Sequence, residues 1–178
     1  RYRGAIAVAD QIRSESPSVI EALRRRGIDF VAMLTGDNRA TARHVANRCG
    51  IDEVYSGLLP AEKAALVADL RQRIGSVAMV GDGVNDGPAL GSATVGFAMG
   101  LTGSDLAVET ADVAILRNDL FAIPGAIDLS RKTVGIIRQN IGISLIVKVI
   151  ALALTVMGVV TLWMAVAFDL GTSLLVTA

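Results

Sequence analysis

The sequence predicts an α/β domain, a parallel sheet covered by helices on both faces, followed by a pair of membrane-spanning helices. Three observations carry that prediction. Short apolar runs alternate with helix-length stretches from Ala5 to Ile115, the pattern of strands buried on both faces with crossover helices between them. Polar, glycine-bearing loops follow two of the runs, after Leu34 and after Val80. From Gln139 to Ala178 the only charged residues are Lys148 and Asp169, which leaves room for two apolar spans of about 20 residues, the length a bilayer core needs.

The elements follow in order. Ala5 to Ala9 reads as a short buried strand. Ser16-Pro17 opens a helix carrying Val19, Ile20 and Leu23, and Gly27 closes it, as proline at a helix start and glycine past its end imply. Phe30 to Leu34 is a second strand, and Thr35-Gly36-Asp37-Asn38 leads from it into a helix over 39–49. A short strand near Val54-Tyr55 precedes a helix from Pro60 to about Ile74. Val77 to Val80 is the third strong strand, ending in Gly81-Asp82-Gly83. Further strands fall near 93–98 and 112–115, each after a short helix. A long helix starts at about Leu120, with Arg131, Lys132 and Arg138 ahead of the apolar run. Gly158 to Thr161 makes a turn, with Trp163 as an interfacial anchor. The domains are therefore 1–119, cytoplasmic, and 120–178, with spans at about 139–158 and 162–178. Positive-inside logic puts the basic end of the first span in the cytoplasm.

Composition excludes several classes. The 17 basic and 17 acidic residues cancel, so nothing in the charge favours a nucleic-acid partner. A single cysteine, Cys49, excludes an internal disulfide and suits a reducing compartment. Arg1-Tyr2-Arg3 runs straight into the first strand with no signal-peptide pattern. His44, the only histidine, falls in a polar helix and reads as a surface residue. Arg24-Arg25-Arg26 reads as a solvated helix face.

The most informative stretch is Gly81-Asp82-Gly83-Val84-Asn85-Asp86-Gly87-Pro88-Ala89-Leu90. Two carboxylates four residues apart at a strand end offer oxygen ligands to Mg²⁺. Glycines let the backbone approach a phosphoryl group and point N–H groups at it. Asn85 adds a neutral donor. Thr35 and Gly36 supply a hydroxyl and backbone N–H groups at a neighbouring strand end, and Lys63, near a helix start, supplies positive charge. Taken singly, a Gly-Asp-Gly loop is a turn, Lys63 a solvated helix residue, and Asp37-Asn38 a helix cap. Their order, each at a strand end or helix start of an alternating fold, favours phosphate chemistry.

Met33-Leu34-Thr35-Gly36-Asp37-Asn38 and the ten residues from Gly81 to Leu90 resemble the signature motifs of the P-type ATPase phosphorylation domain, a member of the haloacid-dehalogenase-like superfamily with a Rossmann-like sheet. Asp10 with Arg13, Gly27-Ile28 and Pro60-Ala61-Glu62-Lys63 match in order and spacing. The resemblance implies ATP and Mg²⁺ as cofactors. It makes Asp82 the Mg²⁺ ligand, with Asp86 and Asn85 beside the phosphoryl group. Lys63, Thr35 and Gly36 would contact the phosphoryl oxygens, and Asp37 would border the nucleotide side of the cleft. One departure stands out. The family's phosphorylated aspartate lies in Asp-Lys-Thr-Gly-Thr, a string absent here, and Asp10 is followed by Gln11-Ile12. The chain is therefore expected to be inactive by itself, and to work with the rest of a pump: an actuator domain, a nucleotide-binding domain and earlier membrane helices.

Lys148 lies about nine residues into the first span, or roughly 14 Å at 1.5 Å per residue. Asp169 lies at a similar depth in the second, roughly 11 Å past the turn. Charges at mid-membrane are held by a partner or used in transport; a structural ion pair or a snorkelling lysine is the plainer reading. Asn140-Ile141, Lys148, Thr161 to Val166 and Asp169-Leu170-Gly171 resemble the last two spans of heavy-metal P-type pumps, closest to the zinc, cadmium and lead branch. The Tyr-Asn and Met-x-x-Ser-Ser patterns of copper pumps and the His-Glu-Gly of cobalt-type pumps are absent. The resemblance makes Asp169 a ligand of transported Zn²⁺, Cd²⁺ or Pb²⁺ and Lys148 its counter-ion. It implies an integral protein of the plasma (inner) membrane, with the lipid bilayer and the transported ion as partners. A membrane-anchored phosphohydrolase of the same superfamily is the alternative.

Overall fold

The computed structural model describes residues 12–82, 85–100, 110–117, 119–159, 161, 163–164, 166–168 and 170–171. The strand expected at 5–9, Asp10, Gly83, Val84 and Asp169 lie outside them. The chain divides into two compact units, Arg1–Gly125 and Ala126–Ala178.

In the first unit, helix α1 (Ser16–Arg24) precedes strand β1 (Ala32–Leu34), helix α2 (Arg39–Cys49), strand β2 (Glu53–Tyr55) and helix α3 (Pro60–Ile74). Strand β3 (Ala78–Gly81), helix α4 (Gly87–Ser92), strand β4 (Val95–Met99) and strand β5 (Val113–Ile115) follow. The described strands pair in parallel throughout, as the alternation predicts, and form two sheets, β1-β2 and β3-β4-β5. Two strands are displaced from the apolar runs that predict them. β1 starts at Ala32 and not at Phe30, because Asp52 takes the neighbouring backbone: its carboxylate accepts from Val31 N–H at 2.9 Å. β3 starts at Ala78, because Val77 N–H donates to the Thr94 hydroxyl at 3.0 Å. Helix α1 ends at Arg24 and the chain turns through Gly27.

Arg24 ties α1 to the end of α2. Its guanidinium donates to Gly50 O at 2.8 Å and to Asp52 Oδ1 at 2.7 Å; the Arg24 bond, with that from Val31 N–H, holds the Asp52 carboxyl below the usual carboxylate range. The triple-arginine stretch is thus not uniformly solvated: Arg24 is a link between elements, whereas Arg25 pairs with Glu21 on an exposed helix face.

The core sits between α3, α4 and the β3-β4 ladder: Val67, Met79, Ala89, Leu90, Ala93 and Ala98, with Leu34 of β1 packed against it. Leu90 and Val67 are each 1% exposed, and burial of such a side chain contributes about 1.5–3 kcal/mol. Ala89 and Ala98 are fully buried, small residues where α4 lies close on the sheet. The core thereby fixes the strand ends on which the polar loops are mounted.

The second unit holds most of helix α5 (Ala122–Val156). It has 35 residues and is, among the described residues, the one helix long and apolar enough to cross a membrane. Its solvent-facing positions carry large apolar side chains such as Ile141, Leu145, Ile146 and Ile150, the inverse of a soluble helix. Asn140, Ser144, Val147, Ala151 and Leu154 are half-buried at a 4-3-4-3 spacing along one face, as are Gly142 and Thr155. Thr133 and Thr155 donate their hydroxyls to Leu129 O at 2.9 Å and Ala151 O at 2.8 Å, so these polar groups are satisfied within the helix. The helix ends in a turn at Gly158, whose φ of 74° is the left-handed conformation that glycine adopts without strain. The described residues beyond it, from Trp163 to Gly171, are helical.

Candidate active site

The two polar loops occupy the carboxyl ends of β1 and β3, where parallel sheets bind ligands. After β1, Asn38 accepts from Ala40 and Thr41 N–H, both at 3.0 Å, and so caps α2. Capping fixes the loop, and the Thr35 hydroxyl accepts from Asp37 N–H at 3.1 Å. Thr35 is half-buried, whereas Gly36 and Asp37 are exposed. The same loop binds the lead-in to α3: Leu58 N–H donates to Thr35 O at 3.0 Å and Gly57 N–H to Asp37 O at 2.8 Å. Proline at the helix start and Glu62, whose carboxylate accepts from Leu59 N–H at 2.8 Å, then begin α3. Lys63 is in its first turn.

Lys63 meets the second loop. Its Nζ lies 2.7 Å from Asp86 Oδ1, with the two side chains only 13% and 16% exposed. Asp86 precedes the first turn of α4, so its carboxylate is held at a helix start by a cation from another helix. Asp82 follows β3 and is exposed, and its Oδ1 accepts from Asn85 N–H at a long 3.4 Å. The structure therefore brings Lys63, Asp82, Asn85 and Asp86 to one strand end, and links Thr35, Gly36 and Asp37 to it through the start of α3.

Sequence reading missed two features of this site. Lys63 was expected on phosphoryl oxygens and Asp86 near Mg²⁺; that the two hold each other is a contact across 23 residues that no local spacing reveals. Gly81 was one of the glycines expected to face the phosphoryl group. A Cβ built there would lie 2.8 Å from Asp86 Cβ and 2.9 Å from its Oδ2, so the residue is glycine because Asp86 packs on it. Gly81→Ala should therefore push the start of α4 away and loosen the Lys63 pair, costing about 1–3 kcal/mol. Gly91→Ala within α4 meets nothing within 4 Å and should be neutral or stabilising by up to about 1 kcal/mol. Thermal unfolding of the two variants in detergent should move in opposite directions, or at least separate by several degrees.

Mg²⁺ in phosphoryl-transfer sites takes one or two carboxylates and fills its shell with water and phosphate oxygens. Among the described residues no group of three or more His, Cys, Asp and Glu forms a metal cage. The exposed Asp82 carboxylate at the end of β3, with Asp86 four residues on, is a sparse hard-oxygen set of the kind such sites use. Outside the site, His44 is exposed and Cys49 buried, with the Cys49 thiol pushed up by burial.

A model of the haloacid dehalogenase-like hydrolase family matches residues 1–94, and the chain belongs to that family. Over most of its length it is, more narrowly, a homologue of heavy-metal-transporting P-type ATPases. It is 51% identical over 172 residues to a probable cadmium-transporting ATPase of Listeria monocytogenes, covering 97% of this chain and 24% of the relative. It is 46% identical over 173 residues to the cadmium-transporting ATPase of Staphylococcus aureus, again covering 97% of this chain and 24% of the relative. The crystal structure of a zinc-transporting PIB-type ATPase in an E2.Pi state superposes with a TM-score of 0.87 at 43% identity, covering 94% of this chain and 27% of that one. The chain thus spans about a quarter of the length of the curated relatives it matches.

Proposed function

We propose that this chain is part of an ATP-driven exporter of Zn²⁺, Cd²⁺ or Pb²⁺, contributing Mg²⁺- and phosphoryl-binding residues and the membrane pair Lys148 and Asp169. The observation that carries the reading is the mostly buried Lys63–Asp86 pair at the β3 end, in a chain similar over 97% of its length to cadmium-transporting ATPases.

The proposed roles follow the family resemblance. Asp82 holds Mg²⁺, which supplies neutralisation of the phosphoryl oxygens when bound. Lys63, kept in place by Asp86, presents an ammonium to the same oxygens. Thr35 and Gly36 offer a hydroxyl and N–H groups from the β1 loop, Asn85 donates beside Asp82, and Asp37 faces the nucleotide. In the membrane, Asp169 is the carboxylate that takes the transported cation, and Lys148 balances it when no cation is bound. The soluble unit is cytoplasmic, the protein integral to the plasma membrane, and its partners are the lipid bilayer and the pump's actuator domain, nucleotide-binding domain and earlier helices.

The test is ATP-dependent uptake into inverted vesicles carrying the full-length pump. Zinc, cadmium or lead should each be tried, with copper(I) as the discriminating control. Uptake of at least one of the three, without copper(I) uptake, supports the reading; copper(I) uptake alone refutes the branch. The 178-residue chain by itself should show no ATP hydrolysis and no acid-stable phosphoenzyme, because it has no Asp-Lys-Thr-Gly-Thr nucleophile.

A further inference from the structure

The loop Thr35-Gly36-Asp37 is strung between β1 and the Asn38 cap of α2, so its place depends on where those two elements are held. Strand β1 is short: Ala32, Met33 and Leu34 stand opposite Glu53, Val54 and Tyr55, and Thr35 N–H then donates to Tyr55 O at 2.9 Å. All three β1 residues are half-buried, and β2 has one exposed and two half-buried positions. Burial therefore distinguishes the two faces weakly, and a register marked so weakly is prone to slip.

Side chains hold the far end of both elements. Val31 and Asp52 stand one step before the first strand pair. Asp52 N–H donates to Val31 O at 3.0 Å, and Asp52 Oδ2 accepts from Val31 N–H at 2.9 Å. The carboxylate thus takes the place of a strand carbonyl and lengthens the ladder by one rung, about 13 Å of extended chain before Thr35. Its other oxygen, Oδ1, accepts from Arg24 Nη2 at 2.7 Å, and the same nitrogen donates at 2.8 Å to the carbonyl of Gly50, the residue that caps the end of α2. One ion pair therefore grips the start of β1 and the end of α2, the two ends remote from the loop. We infer that Arg24 and Asp52 are positioning residues for the Thr35-Gly36-Asp37 loop, setting where it meets the phosphoryl group. The inference rests on the proposed roles of Thr35 and Gly36. The pair's side chains are 40% and 34% exposed, and ion pairs so exposed add little to stability, so the loss of the arginine should be read in the reaction more than in unfolding.

The test is the rate of phosphoenzyme formation from labelled ATP in the full-length pump, measured by rapid quench at saturating ATP and metal, with thermal unfolding on the same preparations. Asp52→Ala should slow the reaction roughly tenfold, the order of loss that a small misplacement of contacting groups produces. Arg24→Ala should slow it too while unfolding near the parent temperature. Asp52→Asn, which keeps an acceptor for only one of the two partners, is the milder variant for the same measurements should Asp52→Ala fail to fold. Val19→Ala opens a cavity under the same helix, at a side chain only 3% exposed; it should lower the unfolding temperature and leave the rate near the parent's. In a Thr35→Ala background the further loss from Asp52→Ala should shrink to roughly threefold or less, because effects that act through one contact do not multiply. Parental rates in the Asp52 and Arg24 variants, an equal slowing in Val19→Ala, or the full tenfold loss in the Thr35→Ala background overturns the inference. Thr35→Ala by itself separates the two levels. If it leaves the rate at the parental level, the loop's proposed role fails and this inference falls with it; if it slows the reaction while the Asp52 and Arg24 variants do not, only this inference fails.

Discussion

Asp82→Asn in the complete pump is expected to abolish the acid-stable phosphoenzyme formed from labelled ATP. The substitution keeps the side chain's size and its ability to accept from Asn85 N–H, so the strand end should survive. What it removes is the negative charge of an exposed carboxylate, the feature that draws Mg²⁺ to the strand end; among the described residues no cluster of three or more metal-binding groups stands in for it. Lys63→Ala should also reduce phosphorylation, by about 10² to 10³, the usual effect of removing one preorganised stabiliser of transferring charge. Its signature differs from that of Asp82→Asn. Lys63 and Asp86 are both mostly buried at 2.7 Å, so truncating the lysine leaves a carboxylate without its cation and costs about 1–3 kcal/mol of stability. Asp82→Asn should unfold near the parent temperature, and Lys63→Ala below it. Normal phosphoenzyme levels in either variant would contradict the roles given to them.

Much of this was legible because the relevant physics is local. Helices α2 and α3 begin and end where Asn38, Pro60 and the glycines at 50 and 75 place them, since capping and proline geometry act within a few residues. The two polar loops were located by the same logic, as breaks after apolar runs. What sequence reading did not supply is tertiary. The division of the described strands into two sheets depends on which edges meet, and an apolar run of three to five residues does not encode its neighbour. The reassignment of Gly81 from phosphate approach to packing on Asp86 needed coordinates, because a glycine before an aspartate suits both. Arg24 shows the same limit on the surface: one of three consecutive arginines is a link between helices, and its partners Gly50 and Asp52 are 26 and 28 residues away.

The membrane pair carries the other large effect. Asp169→Ala in the complete pump should eliminate metal-stimulated ATPase activity while the protein still inserts. If the carboxylate is a ligand, its loss removes a hard, charged donor; if it only balances Lys148, its loss leaves an unbalanced cation in the span. Both losses weaken the protein, so the single variant alone does not separate them. Asp169→Asn combined with Lys148→Met does. It removes the two charges together, and replacing a buried pair by neutral groups of similar size is often harmless to stability. A structural pair should then recover both its thermal stability in detergent and zinc uptake into inverted vesicles. A ligand pair should recover stability alone, with uptake at least tenfold below the parent, because an amide is a far weaker ligand than a carboxylate for a divalent ion. The second pattern is the expected one, and transport restored to near the parental level in the double variant would leave Lys148 and Asp169 as structural residues only.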